Sequence, residues 1–499
     1  MAARLTLAAV TAAALVGGAV SVRTADAESR PGYGGAVVGT LLGEPVAVDP
    51  VAARSHAELT VVGLVFDGLY RTAPDGGLAP HLAVALPEVA GDRARIALRA
   101  GVTFQDGSPL DAADVVASLR RLARSDAGWI LASVAAIDAV NGGVELTLRA
   151  PTPDLAALLA LPQAAITPDG EPPKAKAPIG SGPFQLVSID RGRRRLGLRA
   201  FDGHFAGRPY LDEIELRWFD EADAEARLFE SGGAQLSQRG ATVFAGHQPK
   251  YAAGEIESPA TLLIYVGFGK RPIPGNRDFR QALHLALART GFAAVGTGER
   301  IEPAIDPVPA EVGGASLDAA TRAGRLDAAK LALAHAAGTL PALASARLGQ
   351  VRLEILIDET RTDDRAVAER VVRALDKLGV GATITAVSAG DAARRVAAGA
   401  CDLFIGQLVA GAPPPLVWTA AFEAGGDPWA RRQLAKGSVD PARARAEFAR
   451  TLPIVPLYHR AVRVHHRRDL RGVGFDGGAR ISFADLFLFG APERSGRAP

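Results

Sequence analysis

Between residues 327 and 408 the chain alternates helix-periodic and strand-like segments, and few folds accommodate that order. The spacing predicts helices over 327–337, 364–378 and 391–398, and strands over 351–357, 382–387 and 402–408. The second helix is expected to be ended by Gly379. Strands separated by whole helices cannot be joined as tight hairpins. They need crossover connections, which make this part of the sheet parallel and cover it with helices.

The remainder reads as mixed α/β. A first strand is expected over 35–41 and a helix over 56–70. Arg95–Leu98 ends a run of alternating apolar and charged residues, as a half-buried strand should. Asp106-Gly107 then offers a turn. Asp111 stands at an N-cap position, and Asp114 puts a second carboxylate in the first helical turn. Val115, Leu119 and Leu122 recur at helical spacing. Further strands are expected over 144–148 and 210–219, a hairpin over 184–189 and 194–199, and helices over 222–230 and 279–288. The run Leu262–Phe268 is apolar throughout, like a strand buried on both faces. Residues 169–178 are proline-rich and read as a linker. The length corresponds to about three domain-sized units.

Several function classes are excluded early. With 56 basic and 54 acidic residues the net charge is +2, which gives no footprint for nucleic acid or an anionic membrane. Cys401 is the single cysteine, so no intramolecular disulfide forms; within ACDLFIGQL it reads as a small buried hydrophobe. Ser181 in I-G-S-G-P lacks the spacing of a nucleophile elbow. There is no phosphate-binding glycine loop in strand-to-helix context. His465 and His466 fall in a strand, where neighbours point to opposite faces, so they are expected at solvated positions rather than sharing a metal. No catalytic set, cofactor motif or metal-ligand spacing is found. Met1–Ala27 reads as a secretory signal: Arg4 in the n-region, an apolar stretch over 5–16, and Ala25-Asp26-Ala27 as cleavage site, with Glu28 leading the mature chain. No cysteine stands near that point, so the expectation is a periplasmic protein without a lipid anchor.

Five segments occur in one order: Phe66-Asp67-Gly68-Leu69; Leu98–Leu122 (LRAGVTFQDGSPLDAADVVASLRRL); Pro178–Phe184 (PIGSGPF); Asn276–Leu283 (NRDFRQAL); and Pro453–Tyr458 (PIVPLY). In wording and order they resemble the family 5 extracellular solute-binding proteins, the dipeptide, oligopeptide and nickel receptors of ABC importers. The resemblance implies an α/β, two-lobed periplasmic-binding-protein fold of type II, in the large cluster with an extra inserted domain, with mixed sheets and flanking helices. It implies a first lobe from 28–70, 179–268 and 456–499, a small inserted domain over 71–178, a second lobe over 269–455, and a hinge near Phe268 and Pro456. Ligand would bind between the lobes and be delivered by hinge closure to an ABC permease in the inner membrane. The receptor is expected to be a monomer, needing no cofactor and catalysing no reaction.

Candidate ligand contacts carried over are Glu44, in the segment after the first strand, Phe268, Gln407, Gly411 and Trp418, with Trp429 beside them. The family's second ligand segment usually bears an Asp that pairs with a peptide ammonium. Here it reads Gln407–Pro415 (QLVAGAPPP), without a carboxylate and with a proline run that should stiffen the loop. A buried ammonium there lacks its partner, so a simple free-amine dipeptide is not the expected ligand. Residues 423–442 are shorter than the family's usual excursion, which reduces one pocket wall. Two alternatives stand beside the receptor: a non-transport binding, signalling or assembly protein that kept the fold, and an envelope enzyme.

Overall fold

The computed structural model describes residues 31–489 apart from 74, 239–248, 295–300 and 412; the expected leader and its cleavage site lie outside the described residues. In chain order the strands are β1 (Ala36–Thr40), β2 (Tyr70–Thr72), β3 (Leu78–Pro80), β4 (Glu88–Ala90), β5 (Arg93–Ala97), β6 (Val134–Val140), β7 (Gly143–Leu148), β8 (Phe184–Asp190), β9 (Arg195–Ala200), β10 (Glu213–Arg217), β11 (Leu236–Ser237), β12 (Ala252–Phe268), β13 (Ile301–Pro303), β14 (Arg352–Asp358), β15 (Gly381–Val387), β16 (Leu403–Ala410) and β17 (Val455–Arg467). The main sheet runs β15-β14-β16-β12-β17-β11-β1-β10-β9-β8, with β13 added on β17. Inserted within it, β4-β5-β7-β6 form a separate four-stranded sheet. The architecture is the expected mixed α/β, two-lobed one.

The helix–strand alternation forms as its spacing requires: β14 pairs in parallel with both β15 and β16. Gly379 takes φ +78° just beyond the helix Thr362–Lys377. The capped helix is Ala112–Ala123. Asp111 accepts from the N–H groups of Ala113 (2.7 Å) and Asp114 (3.3 Å), and Asp114 returns the bond to the Asp111 N–H (2.9 Å). Orphan donors of the first turn are thereby satisfied. Its Val115, Leu119 and Leu122 are buried, and the helix packs on β6 and β7.

The helix expected over 56–70 stops at Val65. Asp67 is drawn inward instead, and Tyr70 pairs with Pro80 in the β2–β3 hairpin. The strand expected over 262–268 begins much earlier, at Ala252, and runs through Pro259. Proline has no N–H for the ladder. The register against β17 shifts between Glu257 and Thr261, and the Ser258 hydroxyl accepts from the Val462 N–H (2.9 Å) in place of a backbone partner. β12 and β17 therefore stay paired across the whole junction between the two halves of the sheet, with a bulge where they cross. Phe268, the expected crossing point, is the last residue of β12. The proline run is also not a stiff loop: Pro414 and Pro415 open the helix Pro414–Ala424, where a missing N–H costs nothing. His465 is buried rather than solvated.

Among the described residues, three buried apolar clusters result. One fills the first lobe between β1, β8–β10 and the helix His56–Val65. A second lies on one face of β12, β14 and β16, under helices that include Arg277–Ala286 and Thr362–Lys377. The third begins in the inserted sheet and continues onto the opposite face of β12, β14 and β16. Among the described residues no helix is long and apolar enough to cross a membrane.

Candidate ligand cleft

Strand parity determines which side chains look from the second lobe toward the inserted unit. On β12 these are Leu263 and Tyr265, on β16 Phe404 and Leu408, and on β14 Leu356, all packed in or against the cluster shared with the inserted unit. Ile264, Val266, Leu403 and Ile405 point the other way.

The inward face carries aromatic rings laid over glycines. Tyr265 is directly opposite Gly406, and Gly267 is opposite Phe404. A Cβ on Gly406 would lie 2.2 Å from the Tyr265 ring, and one on Gly267 would lie 2.1 Å from the Phe404 ring. The two rings meet edge to face, 6.2 Å between centroids, an arrangement favoured by the ring quadrupoles. Burial pushes the Tyr265 hydroxyl up to about 12, against the opposing pull of Arg361 and Arg54. It is therefore a neutral donor at physiological pH.

Opposite this floor, the segment after β1 comes across. The Glu44 N–H donates to the Thr360 hydroxyl (3.1 Å), and a Cβ on Gly43 (φ +108°) would lie 3.3 Å from the Arg361 side chain. Arg361 is held in place by Asp364 (2.5 Å) and Asp358 (3.7 Å), and it donates to the Ile405 carbonyl (2.7 Å). At the far end, a Cβ on Gly437 would lie 2.4 Å from the Pro151 carbonyl of the inserted unit. The second lobe thus meets the segment after β1 on one side and the inserted unit on another, around a predominantly apolar floor.

The residues carried over from the family pattern fall in different places. Glu44 sits at the rim; its carboxylate pairs with Arg191 of its own lobe, and its backbone reaches the second lobe. Phe268 and Gln407 follow the parity of Ile264 and Ile405, on the face turned away from Tyr265. Phe268 stacks under Arg280, 4.8 Å from guanidinium to ring centroid. Gly411 is wedged against Ala260 and the Gly477 carbonyl; a Cβ there would lie 2.3 Å and 2.4 Å from them. Trp418 is fully buried edge-on to Phe448 (5.4 Å), and Trp429 stacks on Phe422 (5.0 Å). Tyr265, Phe404 and Arg361 are candidates that the structure adds and that do not stand among the residues carried over. The signal for the first two was present: in-strand glycines next to aromatics, in YVG and FIG. Cys401 is buried as expected, and burial pushes its thiol up to about 11, which removes it as a thiolate nucleophile at neutral pH.

The model of the bacterial extracellular solute-binding proteins, family 5 (middle region), matches residues 77–428. The oligopeptide-binding protein AppA of Bacillus subtilis (strain 168) is 26% identical over 284 residues, covering 53% of this chain and 52% of AppA. The glutathione-binding protein GsiB of Salmonella paratyphi A is 28% identical over 236 residues, 44% of this chain and 45% of GsiB. These alignments span about half the length of the curated relatives. The solved structure of Bacillus subtilis AppA in complex with a nonapeptide superposes with a TM-score of 0.76 at 18% identity, covering 92% of this chain and 100% of that one.

Proposed function

This chain belongs to the bacterial extracellular solute-binding proteins of family 5, and on that premise we propose that it is a periplasmic receptor that closes on a small organic ligand and presents it to the permease of an ABC importer. Its fold and family are those of binding proteins. The observation that carries the reading is the apolar floor of Tyr265 and Phe404, roofed at its rim by the contact of Gly43–Glu44 with Thr360–Arg361. Closure is selected only if the ligand binds the closed form better than the open one. A ligand that covers the two rings and meets the Tyr265 hydroxyl does so if it also touches the part of the chain opposite them.

The ligand is peptide-like or another apolar-bodied molecule rather than a free-amine dipeptide. Gly411 and the prolines after it supply no carboxylate for an ammonium, and Gly411 is committed to packing. The receptor acts as a monomer, and its ligand binding calls on no cofactor and no catalysis. Isothermal titration with di- to pentapeptides, free and N-acetylated, tests the ligand class. Blocked peptides bind and free ones bind weakly or not at all; tight binding of unblocked dipeptides overturns this assignment.

One observation favours a second reading, a non-transport protein that kept the fold. Leu263, Tyr265 and Phe404 belong to the same continuous buried cluster as Ile130 and Leu131 of the inserted unit. Native mass spectrometry of the purified protein separates the two: a co-purified small molecule supports the receptor, and its absence together with no peptide binding supports the other.

A further inference from the structure

Away from the cleft, Asp67, His81 and His204 converge where three separate segments meet. Asp67 follows the helix His56–Val65, His81 follows β3 at the entry to the inserted unit, and His204 lies in the connection from β9 to β10. One ligand atom from each lies within 4.8 Å of the others. His81 Nε2 is 2.8 Å from Asp67 Oδ1, and His204 Nε2 is 3.5 Å from Asp67 Oδ2. The Ser181 hydroxyl donates to Oδ2 at 3.0 Å. Phe205 packs on both imidazoles, 4.9 Å from His81 and 4.8 Å from His204, and Arg99 covers its outer side at 5.4 Å.

The proton inventory of this cluster is incomplete. His204 Nδ1 is 3.2 Å from the Gly207 carbonyl. A carbonyl only accepts, so Nδ1 carries the hydrogen, and in neutral imidazole Nε2 is then a bare lone pair. That lone pair faces a carboxylate oxygen 3.5 Å away, at a side chain only 9% exposed. Two acceptors turned toward each other in a buried place need a positive charge between them. Either a proton sits on Nε2, or a metal ion bridges the nitrogen and the carboxylate. A metal ion there would find the outer partners its ligands commonly have: one ring nitrogen bonded to a backbone carbonyl, which fixes the tautomer, and a carboxylate steadied by a hydroxyl.

We propose that Asp67, His81 and His204 form a site for a borderline first-row divalent cation, with zinc the best fit to two imidazoles and one carboxylate. The ion would join the first lobe to the inserted unit at their junction. This site is independent of the ligand cleft. Serine 181, singled out in the sequence and without a nucleophile's surroundings, acquires a role as the group that orients Asp67.

The test uses the whole mature chain, stripped with a chelator and titrated calorimetrically with zinc chloride at neutral pH. The expected result is one saturable equivalent and a melting temperature that rises with free zinc. His204→Gln is expected to weaken binding by at least about 10-fold, whereas His335→Gln, an exposed histidine far along the chain, leaves it unchanged. Cobalt in place of zinc should give visible ligand-field bands that disappear in the His81→Gln/His204→Gln double variant. Absence of a saturable equivalent in the unmutated protein overturns the proposal without reference to any variant. So does equal affinity in the double variant, which would make the cluster a protonated histidine–aspartate pair only.

Discussion

The two faces of the second-lobe sheet are built differently. On the outer face of β12, β14 and β16, Ile264, Val266, Ile355, Leu403 and Ile405 are buried beneath helices of their own lobe. On the inner face the same strands alternate glycines with Tyr265 and Phe404, and the opposing surface belongs to a different part of the chain. Aliphatic interdigitation gives a permanent core. Rings lying flat over glycines give a smoother apolar surface than the branched side chains of the outer face, although Leu263 and Leu356 still pack with the inserted unit. One sheet thus carries stability on one side and association on the other.

This contrast is open to direct challenge. The largest expected effect is on the outer face. Leu403→Ala should cost about 2–5 kcal/mol in urea unfolding, through lost burial and a cavity, while the solution radius of gyration of the folded protein stays as it is. If the radius grows, the outer face also holds the lobes together. Next is Gly406→Val, which drives a side chain into the Tyr265 ring. We expect about 1–3 kcal/mol of destabilisation from overpacking, and here the radius of gyration from small-angle scattering should increase as the lobes part. An unchanged radius would mean that the rings do not control closure.

A smaller effect concerns pH. His459 pairs across from Leu263 and shares the inner face. Burial lowers its pKa to about 4, and the Asp306 carbonyl opposes this only in part. The unfolded chain takes up the proton near pH 6.5 while the folded one refuses it until about pH 4. Stability from this group is therefore present above pH 6.5 and lost progressively as the pH falls to 4. His56 and His284 are also buried with lowered pKa values, to about 4 and about 3, by desolvation first. A His459→Gln variant should flatten the acid limb of the melting-temperature profile without abolishing it; an unaltered limb would remove His459 from the account. The smallest effect is expected at the rim. Glu44→Gln removes the partly exposed pair with Arg191 but keeps the backbone bond to Thr360. It should change stability by no more than about 1 kcal/mol. A larger loss would show that the Glu44 charge itself holds the lobes.

Local physical rules accounted for much of what the chain shows. The N-cap at Asp111, the parallel strands from the helix alternation, the helix end at Gly379 and the burial of Cys401 are all properties of short segments, and each is found where the sequence puts it. The lobed architecture was legible for another reason, the ordered resemblance to a family. The cleft was less legible. Phe268 and Gln407 lie on the face of β12 and β16 opposite Tyr265, because a displacement of one residue along a strand inverts a side chain's direction.

By itself, the sequence determined the elements, their order and the α/β class, since propensity, capping and periodicity act over a few residues. It could not determine that β12 continues through Pro259, because that depends on Ser258 meeting the Val462 N–H from a strand about two hundred residues away. Nor could it show which strand face meets the inserted unit, or that Asp67, His81 and His204 share one buried point. Those relations exist only once distant segments are packed together. They are decided by parity, burial and the need to neutralise a charge out of reach of water.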